Sequence, residues 1–163
     1  MLFASSDDNP CKVTDASTLY LPCTNLTAHC YEYMFYHCEY LETAPKLPAL
    51  KLAEYCYSNM FNGCISLEEA PELPALKLEN YCYNYMFHGC ENLIYIKAMF
   101  TTTPNNTYTE AWVYGVHGNK FNFSTGTYED DCDVCGTFVK NKSASWNVRG
   151  DNGIPNRWAV ETE

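Results

Sequence analysis

The sequence predicts an α/β solenoid, a stack of helix-turn-strand units closed at its C-terminal end by a β-rich cap. Three similar 26-residue segments begin at Leu21, Leu47 and Leu73. A fixed period of this length is typical of units that cannot bury their apolar faces alone and must stack on their neighbours. Six of the ten cysteines follow the same period, and apolar residues recur within each segment at a spacing of three or four.

The helix of each unit is predicted from that short spacing. In the third segment Leu78, Cys82 and Met86 lie four residues apart, which places them on one face of a short amphipathic helix. Gly63 and Gly89 stand where the helices of the second and third segments should end, because glycine is favoured just after a helix. Each segment therefore predicts a helix followed by a turn.

Short strands should follow the turns, beginning at Leu41, Leu67 and Leu93. Prolines follow closely in the first two segments, and because proline cannot donate a hydrogen bond to a sheet, strands of about three or four residues are expected. The third segment lacks these prolines, so residues 93–100 predict a longer strand that ends the array.

Three regions result. Residues 1–20 form an N-terminal segment with a degenerate first unit, 21–98 the three units, and 99–163 a capping subdomain with an inserted loop around residues 117–135. The cap contains a strand-like run at 136–140 and three tryptophans suited to covering an open apolar face. The predicted core positions are Phe35, Cys38, Leu41, Phe61, Cys64, Leu67, Phe87, Cys90 and Leu93 in the units, with Trp112, Trp146 and Trp158 in the cap.

Charge and hydropathy narrow the classes of partner. The 20 acidic and 10 basic residues give a formal charge of −10, which disfavours nucleic acid and anionic lipid. Apolar runs are far shorter than the roughly 20 residues of a membrane helix, so no membrane insertion is expected. The apolar start, residues 1–4, runs directly into polar residues 5–8 without a signal-peptide core, so an exported protein would need a leader that this chain lacks.

The cysteines that follow the repeat are predicted to be free thiols packed in the core. Cys30, Cys56 and Cys82 recur every 26 residues. A buried free thiol behaves as a small apolar side chain. Within one unit the register cysteines lie eight residues apart, about 12 Å along a helix, which is too far for a disulfide.

One phrase of the repeat resembles a known family. The pattern Tyr-Met-Phe-x-x-Cys-x-x-Leu, followed by Ala-Pro-x-Leu-Pro-Ala, is similar to the BspA-like leucine-rich repeats in surface proteins of gut and oral Bacteroidales, and residues 34–41, 60–67 and 86–93 carry it. The tail, with residues 136–140, Trp146, 153–155 and Trp158, is similar to the ending of such arrays. Together the likeness spans residues 16–163, apart from the inserted loop.

The resemblance implies a leucine-rich-repeat-like solenoid without enzymatic activity. It implies recognition or adhesion at a bacterial cell surface, in an extracellular location, with a protein or a glycan as partner and no cofactor. Similar arrays occur in proteins of phages that infect these bacteria. The alternative is therefore a virion protein, such as a fibre, a head decoration or a receptor-binding component, that forms homo-oligomers or binds other virion chains.

The candidate binding residues are those that differ between units, because the scaffold positions repeat. Side chains rich in hydrogen-bonding groups could make adaptable contacts there. The alternative is that solvent-facing positions vary freely. The residues predicted to bind are Tyr33, Tyr36, Asn59, Asn84, Tyr85 and His88.

Cys132 and Cys135 form the one local pattern with chemical potential, preceded by the acidic residues 129–131. This spacing suits half a zinc site, a disulfide, two free thiols or redox exchange. Zinc would need two further ligands, for which only His117 and Cys11 are available. A small zinc or thiol protein is therefore the third functional alternative.

Overall fold

The computed structural model describes residues 3–5, 10–119, 121–122, 124–128 and 132–163. The predicted α/β solenoid is wrong, and so is the leucine-rich-repeat-like array that the resemblance implied. Within the described ranges the only helix is α1, Asn106–Thr109, which follows the repeats. No unit contains the helix that the apolar spacing predicted.

Among the described residues, five short strands accompany this helix. They are β1 (Tyr95–Ala98), β2 (Phe121–Asn122), β3 (Thr127–Tyr128), β4 (Gly136–Lys140) and β5 (Trp158–Thr162). The strands β1, β4 and β5 form one parallel sheet in that order, while β2 and β3 form an antiparallel pair. β4 coincides with the strand expected at 136–140, and β1 lies within the run 93–100.

Consecutive turns replace the predicted helices. In the second unit Tyr55, Asn59 and Gly63 have φ values of 55°, 55° and 76°. A right-handed helix cannot pass through residues in this left-handed conformation. In the same stretch, each even-numbered residue from 56 to 64 donates its N–H group to the carbonyl three residues earlier. The four-residue spacing of apolar side chains comes from these turns.

The odd-numbered residues of the same stretch connect the units. Tyr57 donates its N–H to Cys82 O at 3.0 Å, and the donors at 55, 59, 61 and 63 likewise reach the third unit. The first unit bonds to the second in the same register, as in the 2.8 Å bond from Tyr31 N to Cys56 O. The N–H groups therefore alternate along the chain: one closes a turn within its own unit, and the next donates to a carbonyl of the following unit.

Equivalent aromatic side chains stack to form the core. The rings of Phe35, Phe61 and Phe87 lie 5.5 and 5.8 Å apart and are nearly parallel. Phe3 extends this column at the N-terminal end, and Trp112 packs against Phe87 at the other end. The predicted core positions are all buried: Phe35, Cys38, Leu41, Phe61, Cys64, Leu67, Phe87, Cys90, Leu93, Trp112, Trp146 and Trp158.

Both ends of the stack are covered. Phe3 and Ser5 donate their N–H groups to Met34 O and Tyr36 O at 3.0 and 2.8 Å, so the N-terminal segment continues the bonding pattern between units. In the C-terminal region the indole of Trp146 donates to Phe100 O at 3.2 Å. In the part of the chain that is described, no helix has the length and apolarity needed to cross a membrane.

Candidate functional site

The residues predicted to bind a partner lie in the turns of the three units. Tyr33 and Tyr36 contact edge to face, with ring centroids 5.4 Å apart. Tyr85 and His88 contact in the third unit at 5.7 Å. These four side chains are half-buried, so each pair presents only part of its rings to solvent. Their binding role stays a prediction.

The two asparagines of that set are buried and engaged within the protein. The Asn59 side-chain amide donates to Ser58 Oγ at 3.0 Å, and its oxygen accepts from Asn62 Nδ2 at 2.8 Å. Asn84 Oδ1 accepts the N–H of Glu110 at 3.0 Å. The polar atoms of Asn59 therefore hold turns of the second unit, and Asn84 holds the contact between the third unit and the C-terminal region.

A different surface, which the sequence analysis did not select, combines exposed apolar side chains with a continuous depression. Three adjacent hollows of about 270, 470 and 560 Å³ share lining residues, Lys46 and Pro48 between the first two and Pro74 between the last two. We call this the leucine–proline groove. Its main lining residues are Tyr20, Lys46, Pro48, Leu50, Pro74 and Leu76.

The groove results from the repeated sequence Leu-Pro-Ala-Leu-Lys-Leu. In the second unit Leu47 and Leu52 are buried, whereas Leu50 is 61% exposed. Its equivalent Leu76 is 52% exposed. The N–H groups of Leu50 and Lys51 both donate to Thr24 O in the preceding unit, at 2.9 and 3.1 Å, which fixes the backbone beneath the exposed leucine. Two exposed leucines thus repeat one unit apart.

Charge distinguishes this groove from the rest of the acidic chain. Its lining includes Lys46, Lys51 and Lys77 against Glu72 and Glu79. Within the described ranges, no carboxylate forms an ion pair with any of these three lysines. In contrast, Glu72 contacts the Nζ of Lys97 at 3.4 Å. The groove therefore carries available positive charge on a protein of net charge −10.

A column of surface rings lies at another register position. His29, Tyr55 and Tyr81 stack with centroids 5.0 and 4.7 Å apart and interplanar angles of 8° and 12°. His29 Nδ1 also contacts Glu32 Oε2 at 2.6 Å. Because neighbouring rings cover each other's faces, the column offers mainly ring edges.

The repeated cysteines are largely free thiols, as predicted. Cys30, Cys56, Cys64, Cys82 and Cys90 are unbonded, and all but Cys30 are buried. Burial raises the pKa values of Cys56 and Cys64 to about 12 and that of Cys82 further. Cys64 and Cys90 donate their thiol hydrogens to carbonyls of preceding units at 3.2 and 3.1 Å. These thiols serve packing and are poor nucleophiles.

Cys38 is the exception to the prediction of free register thiols, because it forms a disulfide with Cys11. Its unit is the first of the three, so the N-terminal segment can reach it, whereas equivalent thiols are covered by neighbouring units. A cross-link with a separation of 27 residues should stabilise the fold by about 3.5 kcal/mol through the entropy of the unfolded chain. This disulfide pins the covering segment to the stack.

Cys132 and Cys135 are also joined by a disulfide. Their separation of three residues gives an entropic stabilisation of only about 2 kcal/mol. His117 Nε2 lies 4.0 Å from Cys132 Sγ, whereas Cys11 is bonded elsewhere. Among the described residues no three His, Cys, Asp or Glu side chains are grouped to hold a metal ion. The acidic residues 129–131 lie outside the described ranges.

Comparison of the chain with protein-family models, with curated proteins and with solved structures found no match.

The sequence pattern does not select the groove, because Leu50 and Leu76 repeat. Repeated positions predict scaffold, whereas positions that vary between units predict binding. The available signal was local: in Leu-Pro-Ala-Leu-Lys-Leu the alternate positions Leu47 and Ala49 are buried. Leu50 follows Ala49 directly, so it is out of step with these two positions and faces solvent.

Proposed function

We propose that this protein is a non-enzymatic recognition module whose leucine–proline groove binds an extended protein segment. That segment presents apolar side chains flanked by Asp or Glu. The observation that carries the proposal is the pair of exposed leucines, Leu50 and Leu76, set between prolines one unit apart. Contiguous exposed apolar surface on a folded chain is typical of a protein-binding site.

Electrostatics select the partner's charge. Lys46, Lys51 and Lys77 lie along the groove without carboxylate partners among the described residues. These lysines would repel a basic segment and would give a neutral one no electrostatic gain. An acidic segment would be attracted and held in register. Acidic side chains that flank the apolar anchors therefore fit this surface best.

The lining chemistry favours protein over glycan. Leucine and proline side chains offer no hydrogen bonds, and Tyr20 is the single aromatic side chain among the groove residues that are described. Sugars need polar groups and aromatic faces, and the faces of the column at Tyr55 are already covered by its neighbours. A cell-surface or virion location stays a prediction from the sequence.

The proposal is tested by selecting peptides from a random 12-residue display library on the immobilised protein. Selected peptides should carry Asp or Glu beside spaced apolar residues. The double variant Leu50→Glu/Leu76→Glu should weaken their binding by at least about tenfold, since both anchors would face introduced charges. Ile65→Glu is the matched control, because Ile65 is 39% exposed outside the groove and should leave the dissociation constant unchanged.

The charge argument has its own variant. Lys51→Gln/Lys77→Gln should weaken binding several-fold and reduce its dependence on salt concentration. Peptides that bind wild type and Leu50→Glu/Leu76→Glu equally would refute the assignment. So would a concentration-dependent dimer, seen by light scattering, that the leucine variant abolishes, because the groove would then take a second copy of the chain.

A further inference from the structure

Each of the two disulfides joins a buried cysteine to a half-buried one, but the disulfides differ in the length of the loop that they close and in their neighbours. Cys38 is fully buried, and its bond to Cys11 fastens the N-terminal segment to the first unit. Cys132 is half-buried near the surface of the C-terminal region, and its bond to Cys135 closes a very short loop. A loop this short constrains the unfolded chain least, so stabilisation is a weak reason for the second disulfide.

The two sulfurs of that bond differ in accessibility. Cys135 is 4% exposed, and its N–H donates to Arg157 O at 2.8 Å at the start of β4. Gly118 approaches so closely that any side chain at that position would overlap Cys135. An incoming group therefore reaches Cys132 first.

His117 completes the surroundings of the accessible sulfur. Its Nε2 lies 4.0 Å from Cys132 Sγ, and its carbonyl accepts the indole N–H of Trp158 at 2.7 Å. This second bond anchors the backbone of His117 to the first residue of β5. An imidazole N–H held at this distance can stabilise a thiolate on Cys132.

We propose that the Cys132–Cys135 disulfide is a thiol–disulfide exchange site that reacts with a thiol at Cys132. In the first step the thiolate sulfur of the incoming molecule bonds to Cys132 Sγ and the Cys132–Cys135 bond breaks. The electron pair leaves on Cys135, which takes a proton from water. The product is a mixed disulfide between the thiol and Cys132.

A second molecule of thiol completes the reduction. Its thiolate attacks the sulfur of the first molecule, so that Cys132 departs as a thiolate beside His117. Overall, two thiols are oxidised to one disulfide while the Cys132–Cys135 bond is reduced to two thiol groups. The reverse sequence lets the reduced pair of cysteines be oxidised by a disulfide of the same class.

The Cys11–Cys38 disulfide supplies the internal control. Exposed Cys23 and Cys30 are first replaced by serine so that they cannot take part in exchange. The protein is then incubated with increasing glutathione, alkylated and mapped by mass spectrometry. Cys132–Cys135 should be reduced at least about tenfold faster than Cys11–Cys38, with glutathione found on Cys132. Equal rates, or faster loss of Cys11–Cys38, would overturn the proposal.

Single variants test the direction of attack. In the same background Cys135→Ser leaves Cys132 as a free thiol, and Cys132→Ser leaves Cys135. Cys132 should react with an aromatic disulfide reagent at least about tenfold faster than Cys135. A faster reaction at Cys135 would contradict the assigned point of attack. If either variant fails to fold, the glutathione measurement on the intact disulfides still decides the proposal.

Discussion

Replacing Tyr57 by phenylalanine should make the protein more stable. Tyr57 is 1% exposed, and its hydroxyl has no hydrogen-bond partner among the described residues. Its ring stacks between those of Tyr31 and Tyr83 at centroid distances of 5.7 and 6.0 Å. Burial also raises the pKa of Tyr57 well above its ordinary value. Phenylalanine keeps both ring contacts and removes only the unpaired polar group.

The magnitude follows from the desolvation of that hydroxyl. Mutational data place the cost of burying a hydroxyl without a hydrogen bond at about 1–3 kcal/mol. Removing one oxygen leaves a very small gap above the ring, which offsets part of this gain. Tyr57→Phe should therefore increase the free energy of unfolding by about 1 kcal/mol. In a chain of this size that corresponds to a rise in Tm of about 2–4 °C.

Urea unfolding followed by circular dichroism, with both disulfides kept oxidised, measures the effect. Tyr31→Phe is the matched control, because Tyr31 occupies the equivalent position one unit earlier and is only half-buried. Burial, followed by hydrogen bonding to Cys23, raises the pKa of Tyr31 to about 12. The control should change stability by less than about 0.5 kcal/mol. A loss of about 1 kcal/mol or more in Tyr57→Phe would refute the reasoning, because the hydroxyl would then be satisfied.

Three further outcomes are expected. Phe61→Ala should lower the free energy of unfolding by about 3–5 kcal/mol, since it empties the middle of the ring column; a loss below about 1 kcal/mol in urea unfolding would contradict that packing. Gly89→Ala should cost about 1–2 kcal/mol through its left-handed φ of 71° alone. Gly63→Ala should cost more than Gly89→Ala, because its Cβ would lie 2.9 Å from His37 Nδ1. His37→Ala should remove this difference. Equal costs of the two glycine substitutions in the presence of His37 would contradict the predicted clash. Burial lowers the pKa of His88 below 6.5, so the unfolded chain binds more protons and stability should fall as pH drops from 6.5 to the folded pKa. Tm measured against pH should be flatter in this range for His88→Asn, and an unchanged slope would show that other groups cause it.

The repeat and its buried positions could be predicted because they depend on side-chain volume and periodicity. Phe61, Cys64 and Leu67 are buried in the observed turns, and the predicted helices would have buried them as well. The helix could not be excluded by the same pattern, since four-residue turns place apolar side chains at nearly helical spacing. The decisive feature is left-handed backbone at Tyr55 and Asn59. A tyrosine in a sequence does not indicate a left-handed backbone conformation, whereas a glycine such as Gly63 in the same unit does.

The state of the cysteines was predictable only where neighbouring units enforce it. Cys56 is enclosed by units on both sides, and Cys82 lies between the second unit and the C-terminal region, so packing keeps both as free thiols. Cys38 has the same register but lies at the end of the stack, where its partner Cys11 arrives from outside the repeat. The repeat period cannot predict this disulfide, because Cys11 lies in the N-terminal segment outside the repeat.

The backbone of the groove also limits how a partner can bind. Leu50 and Lys51 already donate their N–H groups to Thr24 O, and Leu76 O already accepts the N–H of Thr101 at 2.9 Å. These backbone groups are therefore already engaged, and we expect a bound segment to be held mainly through its side chains. N-methylation of a selected peptide at backbone positions between its apolar anchors should change the dissociation constant by less than about threefold, whereas truncating an anchor to alanine should weaken binding at least about tenfold. Fluorescence anisotropy with both peptides makes the comparison. Loss of binding on N-methylation would mean that backbone hydrogen bonds hold the segment, and the contact would then have to lie away from Leu50 and Leu76.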